Sequence, residues 1–268
     1  MTDEKIKQHN FLKILIIFVS LIMVFALNFL SMFIVKDKNS FSQVMLANLI
    51  EIAFLSGIIF LWSKVLPKMF PATNTFRFKK VSFDQIMMIL GIALLNLIGV
   101  YRLLYLIRGN VEMAPVVYES KTEFREDILA SFHAVWIAPV LEEMGFRIIP
   151  ASVVQTKKRR IITLIILALF FAVVHPRNIL AVLVDATILC VLFLVTRNPI
   201  SSILYHAFGN LLKTIAYITS YYGIIDVSTS FKGGTIKLFS NRVTIIGLVI
   251  GSVLILPAII VRTRRSLK

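Results

Sequence analysis

"ILIIFVSLIMVFALNFLSMFIV", residues 14–35, runs for 22 residues without a charge. An uncharged apolar run of 18 or more residues reads as a helix crossing a bilayer. The basic residues before it resemble the start of a signal peptide, but the apolar region of such a peptide is only about 7–15 residues long. The run is therefore read as a retained first span, and the rest of the chain is read with lipid as its solvent.

Outward from that run the same texture repeats. The 268-residue chain is 58% hydrophobic, against about 45–50% apolar for an ordinary soluble domain. The excess falls in long runs, and eight spans are predicted, at roughly 12–35, 43–65, 85–107, 128–149, 160–175, 178–196, 199–222 and 243–261. The predicted fold is an all-α, polytopic membrane helix bundle, a single integral membrane domain over 1–268 with a functional core at about 128–222. Three connections are long. The first, 66–84, carries two prolines and several basic residues. The second, 108–127, is mixed in charge and has room for a short interfacial helix, and the third is 223–242.

The formal net charge of +15 raises the possibility of nucleic-acid binding. The basic residues, however, sit between apolar runs rather than on one folded face, which is the pattern of membrane anchoring and orientation. Nucleic acid is excluded as a partner and the lipid bilayer takes its place. With both termini cytoplasmic, the larger share of the lysines and arginines falls on the inner side, and "QTKKRR" (155–160) contributes most. The expected location is the cell membrane, multi-pass. The lone cysteine, Cys190, lies in an apolar run and is expected to be buried packing; it makes no intrachain disulfide and no metal-site pattern.

Against this background "APVLEEMGFR" (138–147) stands out, with two glutamates and an arginine inside a span. A charge at the bilayer centre costs about 2.5–3.5 kcal/mol on insertion scales. Residues four apart share a helix face, so Glu143 and Arg147 can pair. Glu142 points about 100° away and has no local cation. Glu143 and Arg147 thus read as organising a site in which Glu142 is free to act, although all three also fit a structural ion cluster. "FFAVVHP" adds His175, and "LYHAFGN" adds His206 and Asn210 on one helix face. Those two can donate hydrogen bonds in one direction, which suits a tetrahedral oxyanion and equally suits helix–helix bonding. Glu142 lies 15 residues before Lys157, and His175 lies 15 residues after Arg160. Antiparallel helices leaving one loop therefore carry them at comparable depth. Pro150 is expected to end the fourth helix early. The fifth span should stop at His175-Pro176, because its uncharged part, 161–174, reaches only about 21 Å into about 30 Å of hydrocarbon.

"EEMGFR", "FAVVH" and "HAFGN" follow the order EExxxR, FxxxH, HxxxN. In this the chain resembles the CPBP family of intramembrane proteases, which includes the CAAX prenyl-protein endopeptidases and the bacterial Abi-type proteins, and its small size resembles the bacterial branch. The resemblance implies that Glu142 and His175 activate a water, and that His206 and Asn210 form the oxyanion hole. It implies that Glu143 and Arg147 organise the site and that the substrate is a membrane-associated peptide or protein. It implies no metal. Zinc held by one glutamate and two histidines is the rival chemistry, but Asn210 suits an oxyanion better than a metal.

Two other functions fit the same residues. A non-catalytic membrane regulator or bacteriocin self-immunity protein would need no hydrolysis. A proton-coupled transporter would use Glu142 and His175 as a relay, yet the paired repeats common in transporters are missing. Glu51, Asp185 and Arg102 are expected to pair with one another or to line the cavity. His133 lies nine residues before Glu142, on the opposite helix face, and is read as structural.

Overall fold

In the computed structural model the described residues are 3–36, 40–70, 76, 78–108, 114–115, 121–175, 179–225, 227–229, 237–239 and 241–266. They form a membrane bundle of helices with one small sheet. The helices are α1 (Asp3–Ile34), α2 (Phe41–Met69), α3 (Phe83–Arg108), α4 (residues 121–153), α5 (Lys157–Val173), α6 (Ile179–Thr196), α7 (Pro199–Tyr221) and α8 (Asn241–Ser266). Each lies where a span is predicted. Within α1, α2, α3 and α6 there are stretches long and apolar enough to cross a membrane by length and composition. The other helices are shorter or carry the polar residues.

The connections 108–127 and 223–242 hold the sheet. Strands β1 (Ala114–Pro115), β2 (Val227–Thr229) and β3 (Lys237–Phe239) pair antiparallel in the order β1-β2-β3. Residues 121–127, where an interfacial helix had room to form, are instead the first turns of α4.

The most polar span is the innermost. From Glu143 to Val153 every residue of α4 is buried, whereas α1 turns Ile14, Phe18, Ile22, Phe29 and Phe33 outwards. Large apolar side chains outside and charges inside is the arrangement that lipid imposes, since a charge facing acyl chains has no solvation. Close approaches fix the packing around α4 and between α3 and α8. A Cβ on Gly145 would collide with Val24 of α1, and one on Gly91 would lie 2.7 Å from the Gly251 carbonyl oxygen. Gly247 and Gly251 form a GxxxG pair on α8 that lets α3 approach closely, as small residues do in membrane interfaces. Trp62 of α2 donates its indole N–H to Ser152 Oγ at 3.0 Å.

Three prolines shape α2 and α4. Each follows a π-helical turn by two residues: Leu61–Val65 precedes Pro67, His133–Ile137 precedes Pro139, and Met144–Ile148 precedes Pro150. A proline in a helix removes an N–H and collides with the carbonyl four residues back. The wider turn, with its i→i+5 bonds, relieves that collision. Pro150 therefore does not break the fourth helix, contrary to the sequence expectation; α4 continues to Val153. In α4 the π series brings Pro139 and Pro150 opposite the carbonyls of Ala134 and Gly145, to which they offer no N–H. Both carbonyls are served from neighbouring helices, Ala134 by Asn210 Nδ2 at 2.7 Å and Gly145 by Ser20 Oγ at 3.2 Å.

Candidate active site

α4, α5 and α7 bring the singled-out residues together. Glu142, His175, His206 and Asn210 all line one cavity of about 310 Å³, and His133, Phe171, Asp185, Tyr205 and Lys213 complete its polar and aromatic wall. Glu143 and Arg147 stand behind that wall, fully buried, with Arg147 Nη1 donating to Glu143 Oε1 at 2.8 Å. Their spacing of four produced the pair, and the π turn at Met144–Ile148 leaves it intact.

His206 bridges the two glutamates. Its Nδ1 lies 3.3 Å from Glu143 Oε1 and its Nε2 lies 3.7 Å from Glu142 Oε2. Since the Glu143 carboxylate accepts, Nδ1 carries the donating hydrogen and Nε2 is the nitrogen presented to the cavity. The Glu142 side chain is 15% exposed and that of Glu143 is 0% exposed, so of the two adjacent acids only Glu142 meets the cavity. α7 holds His206 and Asn210 in place from its first turn. Asn198 caps the helix by accepting from the Ile200 N–H, and Pro199 follows at N1.

α5 ends at Val173, and His175 lies just beyond, its N–H donating to the Ala172 carbonyl at 3.1 Å. The His175 Nδ1 is 2.7 Å from the Phe171 carbonyl oxygen. A carbonyl only accepts, so the hydrogen sits on Nδ1 and Nε2 keeps its lone pair. Phe171 is the support of the whole arrangement. Its ring packs on His175 (4.5 Å between centroids), meets His206 edge-on (6.2 Å), and carries the Arg147 guanidinium 4.4 Å from its centre. The motif FxxxH thus has a physical reading: the phenylalanine fixes the imidazole through its carbonyl and its ring together.

A second cavity, about 370 Å³, shares Glu142, Phe171 and His175 with the first and is otherwise walled by Val24, Phe25, Phe29, Phe146 and Val174. Glu142 and His175 therefore sit where a polar and an apolar cavity meet, with α1 forming the apolar side.

Several participants escaped sequence reasoning. His133 faces the same cavity as Glu142, not the opposite side. The π turn at His133–Ile137 inserts a residue between them and shifts the helical phase, and Pro139 was the available signal for it. Of Glu51, Asp185 and Arg102, Asp185 lines the cavity, one of the two places expected for it, and the described contacts show no pairing of Glu51 or Asp185 with each other or with Arg102. Glu51 is buried, accepts from Ser31 Oγ, and lies 2.8 Å from His133 Nδ1. Asp185 accepts from Asn96 Nδ2 and from the Tyr205 hydroxyl at 3.0 Å, with Lys213 Nζ at 3.9 Å. Arg102 is half-buried on α3. Cys190 is buried against α5, as expected.

A membrane helix bundle that encloses carboxylate, imidazole and carboxamide groups in a cavity among its helices defines a class, that of polytopic membrane proteins with a buried polar site. Comparison adds a likeness to this. The family model described as "Type II CAAX prenyl endopeptidase Rce1-like" matches residues 124–212, about a third of the chain, so that segment is similar to the CAAX protease family. The matched segment runs from α4 into α7 and contains Glu142, Glu143, Arg147, His175, His206 and Asn210. No curated protein and no solved structure matches the chain.

Proposed function

We propose that the chain is a metal-independent glutamic endopeptidase that hydrolyses a peptide bond in a membrane-associated peptide or protein. The observation that carries this reading is the convergence of Glu142, His175, His206 and Asn210 on one cavity. A water held between the Glu142 carboxylate and the His175 Nε2 lone pair faces two acceptors. Glu142 takes its proton as the oxygen attacks the scissile carbonyl carbon. The oxyanion then receives hydrogen bonds from Asn210 Nδ2 and from His206 Nε2, which requires a His206 ring protonated on both nitrogens. The tetrahedral intermediate collapses with cleavage of the C–N bond, and the proton held by Glu142 passes to the leaving amine. The apolar cavity beside α1 gives the membrane-embedded part of the substrate a place next to the reacting groups.

Asn210 has two amide hydrogens. One is committed to the Ala134 carbonyl, which fixes the plane of the amide and leaves the other for the oxyanion. Asn210→Ala is expected to lower kcat by about 10²–10³-fold with a much smaller change in KM. The check is steady-state cleavage of a peptide in proteoliposomes, well below the variant's unfolding temperature, since leaving the Ala134 carbonyl unserved costs about 1–3 kcal/mol. A proportional rise in KM with unchanged kcat would instead make Asn210 a substrate-binding residue.

Zinc remains the chemical rival. A catalytic zinc takes three protein ligands, and among the described residues no three His, Cys, Asp or Glu side chains are grouped to hold a metal. Cleavage is expected to continue at its full rate after dialysis against a strong chelator, and loss of activity restored by added zinc would reject the glutamate mechanism. We further place both termini in the cytoplasm of a cell membrane. Thiol labelling of single cysteines introduced at either end, in intact and permeabilised cells, tests this orientation.

A further inference from the structure

The basic run at 157–160 divides into two uses. Arg160 is structural: its Nε donates to the Ala151 carbonyl and its Nη2 to the Val154 carbonyl, both at 3.0 Å, so it closes the C-terminal end of α4 while lying over the Phe76 ring. Arg159 turns the other way. With Lys13 of α1 it lines a separate groove of about 330 Å³ between α1 and the start of α5, together with Asn10, Gln155, Thr156 and Thr163.

The groove has two parts. At its polar end two cations from different helices lie close enough to repel each other, and among the described residues no carboxylate lines it. The N-terminus of α5 lies at the same place: Thr156 is its cap and accepts from the Arg159 N–H. Like charges lining one hollow beside a helix N-terminus, where the helix dipole favours negative charge, ask for an anion. The other part is apolar, lined by Ile14, Ile17 and Ile162. It continues onto Phe18 and Ile166, which face outwards at 60% and 58% exposure. A free phosphate would use only the first part. A phosphodiester headgroup with acyl chains would use both.

We infer that this groove is a binding site for one anionic phospholipid, its phosphate between Lys13 and Arg159 and its acyl chains along Ile14, Phe18, Ile162 and Ile166. Basic hollows between membrane helices near the surface hold such headgroups. The bound lipid joins α1 to α5. It does so on the helix whose later residues, Val24, Phe25 and Phe29, wall the apolar cavity beside Glu142.

Native mass spectrometry of the full chain released from mixed phosphatidylcholine and phosphatidylglycerol nanodiscs tests this. The expected result is one retained phosphatidylglycerol under conditions that strip phosphatidylcholine. Lys13→Gln/Arg159→Gln is expected to weaken retention roughly thirty-fold, the effect of two basic contacts. Lys13→Arg/Arg159→Lys should keep it. The control Lys157→Gln/Lys158→Gln removes the same charge from residues that do not line the groove and should leave retention within about two-fold of the native value. Equal loss in the control would overturn the site in favour of general attraction to a basic surface. So would equal retention of both lipids by the native chain. Inorganic phosphate that occupies the chain in lipid-free detergent and displaces phosphatidylglycerol would replace the lipid assignment with that of a free anion.

Discussion

Glu142→Gln is expected to slow peptide hydrolysis by about 10²–10⁴-fold, the usual contribution of a positioned general base, while the helix bundle keeps its stability. The carboxamide has the same shape as the carboxylate but cannot take a proton from water. Glu142 carries little structural weight: its side chain reaches the cavity, and its nearest ionic neighbour, His206 Nε2, stands 3.7 Å away while that ring's other nitrogen is held by Glu143. The measurement is the initial rate of cleavage in proteoliposomes, alongside the thermal midpoint in detergent. His175→Ala should give a loss of similar size, because it removes the second acceptor for the same water. The double variant should be hardly slower than either single one, since residues that act as a unit are far from additive. A Glu142→Gln enzyme that turns over at the native rate, or a double variant whose losses multiply, would separate Glu142 and His175 from a shared water.

The fold was legible because lipid leaves few alternatives. Uncharged runs such as 14–35 must become helices, and the eight rods lie where those runs predict them. The pair Glu143–Arg147 was legible for an equally local reason, since a spacing of four sets two side chains on one face. What was not legible depends on phase and on distant partners. His133 was assigned to the wrong face because 3.6 residues per turn was carried through a π turn, although Pro139 stood between it and Glu142. Pro150 was read as an end of the helix because its carbonyl partner on another helix, Ser20, cannot be seen from α4 alone. Glu51 and Asp185 found histidine, asparagine, tyrosine and lysine partners 20 to 89 residues away in sequence, and spacing says nothing about these. The role of Phe171 had a visible signal, the four-residue interval to His175, but a carbonyl-to-ring bond needs the helix to end between them, which it does at Val173.

Arg147→Met is expected to be among the most destabilising single changes in the chain, by about 3–5 kcal/mol, as when one partner of a buried ion pair is removed. Glu143 is wholly buried, and without the guanidinium its charge is left to His206 and the Ser202 hydroxyl. The change also takes the guanidinium off the Phe171 ring, the surface against which His175 and His206 are held. Removing both charges, in Glu143→Leu/Arg147→Met, should recover most of that stability, because apolar side chains of similar size often replace a buried pair at little cost. Activity should behave otherwise. The double variant still lacks the carboxylate that holds His206 Nδ1, so the ring is free to turn away from the oxyanion, and cleavage should remain slow in a protein that melts near the native temperature. Thermal unfolding in detergent and cleavage rates in proteoliposomes, measured on both variants, separate the two effects. Full recovery of rate together with stability would mean that the pair only fills space, whereas recovery of stability without rate assigns Glu143 to the orientation of His206.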